Sequence, residues 1–92
     1  MPVYSVGYDL NLPGQDYAGL IAELKASPGY LYLLKSAWII GTRETASQVW
    51  ERLARHIDKG DRILIIQLVN NRAGWLTKDQ WEWIDKLFSL YG

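Results

Sequence analysis

The 92-residue chain contains no cysteine. Disulfides, thiolate nucleophiles and cysteine-ligated zinc are thereby excluded. Its one histidine, His56, has no serine or aspartate partner at motif spacing, which argues against a catalytic triad. There is no excess charge of either sign: ten Lys and Arg stand against ten Asp and Glu. A protein that holds nucleic acid by bulk charge alone is disfavoured on that ground. Long apolar runs are also lacking. The longest are five or six residues, well short of the roughly 20 needed to span a bilayer. With no signal-peptide pattern either, the expectation is a soluble cytoplasmic protein with no membrane partner. The glycines make no phosphate loop, because Pro13-Gly14 lacks the lysine and the spacing.

What is present is apolar and aromatic. Hydrophobic residues make up 49% of the chain, so it is not a disordered polymer. Five Trp and six Tyr mean that some aromatics line a partner or ligand surface, or that the core is unusually aromatic. The length fits one domain over residues 1–92, with a modest core. A domain this small gains from burying surface against a second copy, so a homodimer is expected. The charge is unevenly placed. Asp9, Asp16 and Glu23 outweigh Lys25 in the first third, whereas Lys35, Arg43, Arg52, Arg55, Lys59 and Arg62 outweigh four acids in residues 35–62.

The chain is organised around its first strand, Val3 to Leu10. Tyr4, Val6, Tyr8 and Leu10 alternate with Val3, Ser5, Gly7 and Asp9, the period of a strand. Asn11-Leu12-Pro13-Gly14 is turn chemistry. Tyr17, Leu20, Ile21 and Leu24 share one face of a helix over about 16–26, which Ser27-Pro28-Gly29 stops. Residues 30–34 and 37–42 read as strands joined by Lys35-Ser36, a hairpin or a bulged pair. Thr45 opens a second helix, with Gln48 completing a capping box. Ala46, Val49, Trp50, Leu53 and Ile57 are its inward stripe, and Gly60 is its expected C′ residue. A fourth strand follows over 62–69. Its Ile63-Leu64-Ile65-Ile66 is apolar on both faces, as expected for a central strand. Trp75-Leu76 is a candidate short edge segment. Thr77 and Gln80 form another capping box for a last helix over about 77–91. Trp81, Ile84, Phe88 and Tyr91 make one apolar face of it, and Trp83, Leu87 and Leu90 make a second.

The order β-α-β-β-α-β plus a helix predicts an α+β, ferredoxin-like antiparallel sheet of order 4-1-3-2. Right-handed crossovers put two helices on one face. The other face is left to the last helix or to a second subunit.

Several segments resemble known families. Tyr4-Ser5-Val6-Gly7-Tyr8-Asp9-Leu10 is similar to the start of the small CRISPR-associated proteins that partner the spacer integrase. Ser36-Ala37-Trp38 resembles their third-strand opening, and Gly60-Asp61-Arg62-Ile63-Leu64-Ile65-Ile66 resembles their fourth strand. The virulence-associated protein D toxins share the layout. A closer resemblance, from Tyr8 to Tyr17 and over almost the whole chain, is to short bacterial and phage proteins labelled SinR-like, although no helix-turn-helix is seen here. The wider resemblance implies a ferredoxin-like dimer that is either a magnesium-dependent nuclease or a non-catalytic scaffold gripping duplex nucleic acid. The family's metal-binding aspartate maps onto Asp9.

Asp9 is thus the candidate catalytic and metal-binding residue. Two such carboxylates across a dimer axis have the chemistry to hold Mg²⁺ and activate water for endonuclease action. The alternative is a cap on the Pro13-Gly14 turn or on the first helix. Asn11 and Asp16 are further oxygen donors, or turn and cap residues. Arg43, Arg52, Arg55 and Arg62 are candidate phosphate contacts, or a solvated helix face on which Glu51 supports Arg55. Trp75, Trp81 and Trp83 are candidate partner-binding residues, for a protein or for stacked bases, or are buried in a dimer or against the open sheet face. Tyr8, Tyr32 and Trp38 are candidate linings of a pocket between the sheet and the last helix. His56 near a helix C-terminus suits the helix dipole.

Overall fold

Alternation in the first strand leads directly to its place in the fold. In the computed structural model, which describes residues 2–10 and 17–92, β1 spans Val3–Asp9, β2 Gly29–Leu34, β3 Ala37–Gly41 and β4 Arg62–Gln67. They form one sheet of order β2-β3-β1-β4, with every neighbouring pair antiparallel. The helices are α1 Ala18–Lys25, α2 Ala46–Ala54 and α3 Lys78–Tyr91. This is the ferredoxin-like arrangement with an additional C-terminal helix. The β2–β3 pair is a hairpin with a register shift between Tyr32 and Leu34.

Because β1 is flanked on both sides, both of its faces need cover. Tyr4 and Val6 point with Trp38 and Ile40 of β3 towards α1 and α2, where Leu20, Leu24, Val49 and Leu53 complete a buried cluster. Tyr8, Ile63 and Ile65 pack against its margin. Each such aliphatic side chain removed from water contributes about 1.5–3 kcal/mol. The polar tips are satisfied: the Trp38 indole N–H donates to the Tyr8 hydroxyl at 3.0 Å, and the Tyr4 hydroxyl donates to the Glu44 carbonyl at 2.7 Å.

The opposite face has a smaller core. Val3 and Ile39 meet Ile84 and Leu87 of α3, with Leu31, Leu33, Leu68, Leu76, Trp81, Phe88 and Tyr91 half-buried around them. The helix comes close to the sheet because Gly29 and Gly41 are cross-strand partners. A Cβ on either would run into the Tyr91 ring, so the glycine pair forms a flat seat for it. Residues 68–77 return along α3: Arg72 pairs with Asp85, and its guanidinium lies 5.7 Å from the Trp81 ring centroid and 5.3 Å from that of Phe88.

Both predicted capping boxes form. Thr45 Oγ1 accepts the Gln48 N–H at 3.2 Å while Gln48 Oε1 accepts the Thr45 N–H at 2.8 Å. Thr77 and Gln80 repeat the pattern at 3.2 and 3.0 Å. Four expectations need correcting. First, α2 ends at Ala54, so Gly60 is not its C′ residue. His56 and Ile57 instead donate to the carbonyls three residues back, at Leu53 and Ala54, which tightens and closes the last turn. A separate turn then forms around Asp61, whose Oδ2 accepts the Asp58 N–H at 2.9 Å. Second, Trp75-Leu76 adds no strand. Third, β4 is an edge strand, not a central one. Leu64 and Ile66 lie beyond the reach of α3 and are 64% and 52% exposed. Fourth, Tyr8, Tyr32 and Trp38 do not line a space under α3. Tyr32 sits opposite Trp38, which sits opposite Val6, so strand parity places all three on the α1/α2 face. Asp16 and the turn at 11–14 lie outside the described residues.

Candidate functional site

β1 carries Ser5, Gly7 and Asp9 onto the α3 side of the sheet. Their cross-strand partners on β4 are Ile66, Leu64 and Arg62. Asp9 is exposed at the end of this row. Among the described residues its carboxylate has no hydrogen-bond or ion-pair partner, and no three His, Asp or Glu side chains come together in a way that would hold a metal ion. Asn11 and Asp16, the two further donors expected from sequence, lie outside the described residues. Of the three oxygen donors expected from the sequence, Asp9 alone is among the described residues.

A denser polar cluster lies where α1 meets α2. Arg52 binds Glu44 with both ends of its fork, Nη2 to Oε1 at 2.9 Å and Nε to Oε2 at 3.2 Å. It also donates to the Ser27 hydroxyl at 3.0 Å and to the Glu23 carbonyl. Thr42 donates to Glu44 at 2.9 Å. Burial alone would raise the Glu44 carboxyl, but the hydrogen bonds from Arg52 and Thr42, together with the Arg52 charge, hold it below the usual carboxylate range. Burial, and then the charge of Glu44, pushes the Tyr4 phenol up. Glu23 faces His56 at 3.4 Å and Arg55 at 4.0 Å. Arg55 therefore answers to Glu23 on α1 rather than to Glu51 on its own helix. His56 packs over Gly19, where a Cβ would meet its ring.

This cluster separates the candidate phosphate-binding arginines. Arg52 is enclosed and fully engaged, whereas Arg43 and Arg55 are exposed. Arg43 lines a cleft of about 620 Å³ with Glu44, Arg52, Leu90 and Tyr91. Arg62 turns its guanidinium back onto the Asp61 carbonyl at 3.0 Å.

The tryptophans separate as well. Trp81 is half-buried in the α3 core under Arg72. Trp83 is 48% exposed and donates its indole N–H to the Tyr30 carbonyl on the outer edge of β2 at 2.8 Å. Trp75 is 99% exposed on the segment after β4. Leu64 and Ile66 on β4 and Val69 just beyond it in the chain are uncovered aliphatic side chains. On the other face of the sheet, Trp50 of α2 is exposed beside a cleft of about 260 Å³ that Ile63, Leu64 and Ile65 also line. Reading the sequence alone placed Trp50 on an inward stripe and Leu64 and Ile66 in a covered strand. The signal was there, in the conflict between a doubly apolar strand and a predicted edge position.

Among the described residues no helix is long and apolar enough to cross a membrane. No protein-family model matches the chain, and neither the curated proteins nor the solved structures contain a match to it.

Proposed function

We propose that the protein is a non-catalytic, homodimeric binding module rather than a magnesium-dependent nuclease of the CRISPR-associated type. One observation carries this reading: large apolar side chains stand uncovered on both faces of the β4 edge and on the segment that follows it. Trp50, Leu64, Ile66, Val69 and Trp75 are all exposed there. A small monomer rarely leaves such a set in water unless a partner covers it. Nucleic acid is a poor occupant for aliphatic side chains on a chain of zero net charge. A protein surface fits, with the second copy covering β4 and Trp75 offering a rigid aromatic anchor to a further protein partner.

The test is mass by light scattering over a concentration series, together with calorimetric titration of Mg²⁺ and Mn²⁺ into the wild type and Asp9→Asn. A dimer with no Asp9-dependent metal binding is the expected outcome. A monomer throughout the series overturns the dimer. Metal binding that vanishes in Asp9→Asn, accompanied by cleavage of DNA or RNA, overturns the non-catalytic reading.

A further inference from the structure

The β4 edge has more structure than an apolar patch, and its hydrogen-bonding pattern restricts what can dock there. The Leu68 N–H donates to the Val3 carbonyl at 2.8 Å. Antiparallel ladders alternate, so Arg62, Leu64 and Ile66 also turn their backbone groups towards β1, while Ile63, Ile65 and Gln67 turn theirs outward. Among the described residues nothing pairs with the outward backbone groups of these three, which form an open row. The other edge is partly capped from within the protein. By the same alternation Tyr30 and Tyr32 face outward on β2, and α3 reaches over to that strand: Trp83 donates to the Tyr30 carbonyl, and Gln80 donates to the Leu33 carbonyl at 3.2 Å.

We infer that two copies of this chain join through β4, the strands pairing antiparallel about a two-fold axis at Ile65 to make one sheet across both protomers. This rests on the dimer proposed above and specifies its geometry. Only odd-numbered residues of β4 face outward, so a hydrogen-bonded register must match odd with odd. The register that matches Ile65 with Ile65 of the partner subunit also matches Ile63 with Gln67, and so employs the whole outward row. It sets Leu64 against Ile66 on the open face, covering the two exposed apolar side chains of the strand. It keeps the helix layers of both protomers on one side, bringing the two Trp50 side chains towards the junction. The single charge of the strand, Arg62, falls at opposite ends of the shared ladder, so like charges do not face each other. An occupant must extend the sheet while covering apolar groups on both of its faces. A lone peptide strand lacks the helix layer for this, whereas a second β4 edge with its α2 has it.

The absence of native cysteine lets single substitutions report the register in the full chain. Ile65→Cys sets two thiols across the axis with Cα atoms about 5.5 Å apart, within the reach of a disulfide. Leu64→Cys places its own pair beyond about 7 Å, out of reach. Under mild oxidation Ile65→Cys is expected to give at least about five-fold more covalent dimer than Leu64→Cys. Equal yields, or the reverse order, overturn the inference. A second variant guards against loss of packing at Ile65. Leu64→Lys with Ile66→Lys alters side chains that are exposed in the protomer, and is expected to weaken the dimer at least about tenfold while the circular dichroism is unchanged. A wild-type dimer that this pair leaves untouched overturns β4 pairing but leaves the dimer standing. A monomeric wild type overturns the dimer itself.

Discussion

The two edges of the sheet solve the same problem in opposite ways. An edge strand presents unpaired backbone groups, and a chain that stays monomeric hides them. At β2 the cover is internal. Trp83 and Gln80 of α3 bond to two of its carbonyls, and the side chains left in water are Tyr30 and Tyr32, which have a polar end, together with Leu34 at the end of the strand; Tyr32 donates to the Lys35 carbonyl at 3.1 Å. Tyr32 also stacks on Trp38 at 4.9 Å between ring centroids. At β4 α2 covers one face of the strand but α3 does not cover the other, and the exposed side chains Leu64 and Ile66 there have no polar end. The cause is the length of the cover. One helix spans about half of a four-stranded face, and the glycine seat for Tyr91 draws α3 to the β2–β3 half. The fold caps one edge in part with its own C-terminal helix, and association is proposed at the other.

That contrast can be broken or sharpened in order of expected effect. Trp38→Ala removes the ring on which β2 leans and opens the larger core. It is expected to cost about 3–5 kcal/mol in urea unfolding. Leu87→Ala acts on the smaller core and is expected to cost about 2–4 kcal/mol. Hydrogen exchange should show α3 and the β2 edge losing protection together, while β4 amides change little; uniform loss would mean that the two edges are not independently protected. Thr77→Ala removes the cap of α3 and should cost about 1 kcal/mol, with Thr45→Ala costing a similar amount through α2. Of the two, only the first should raise exchange at the β2 edge. Trp83→Ala uncaps the Tyr30 carbonyl for about 1 kcal/mol and should make β2 a second sticky edge, seen as species larger than a dimer in light scattering. Unchanged mass would mean that the indole is not what keeps β2 closed.

The smallest expected effect is a change in pH dependence. The Glu44 carboxyl is held low in the folded state, so its contribution is present above its ordinary value of 4.5 and is lost as the pH falls through the lowered folded value. Glu44→Gln should therefore be less stable near neutrality and show a shallower decline below pH 4.5. The Tyr4 phenol is raised, so its contribution is present below its ordinary value of 10.0 and is lost as the pH rises beyond it.

Much of this architecture was legible in the chain because it depends on local periods. The alternation in residues 3–10, the i, i+3, i+4, i+7 spacing of α1 and the two Thr-x-x-Gln boxes are sequence-local and appear as expected. Arg52 was not legible in the same way. On a helical wheel it lies beside Arg55, yet it bonds to Glu44, Ser27 and Glu23 from three other parts of the chain. Nor does sequence spacing show the role of Asp61, which is buried and accepts the Tyr17 hydroxyl at 2.8 Å, tying the start of α1 to the start of β4.

Sequence by itself determined the order and type of the elements, the alternation of β1, and the points where α2 and α3 begin. Those features follow from backbone geometry and from hydrogen bonds that close within a few residues. Tertiary structure alone decided which edge is closed, which arginines stay free and which tryptophan is bare. The first depends on where α3 comes to rest, which is set by a pair of glycines and a tyrosine some 50 and more residues apart in the chain, and the second on how α1 meets α2.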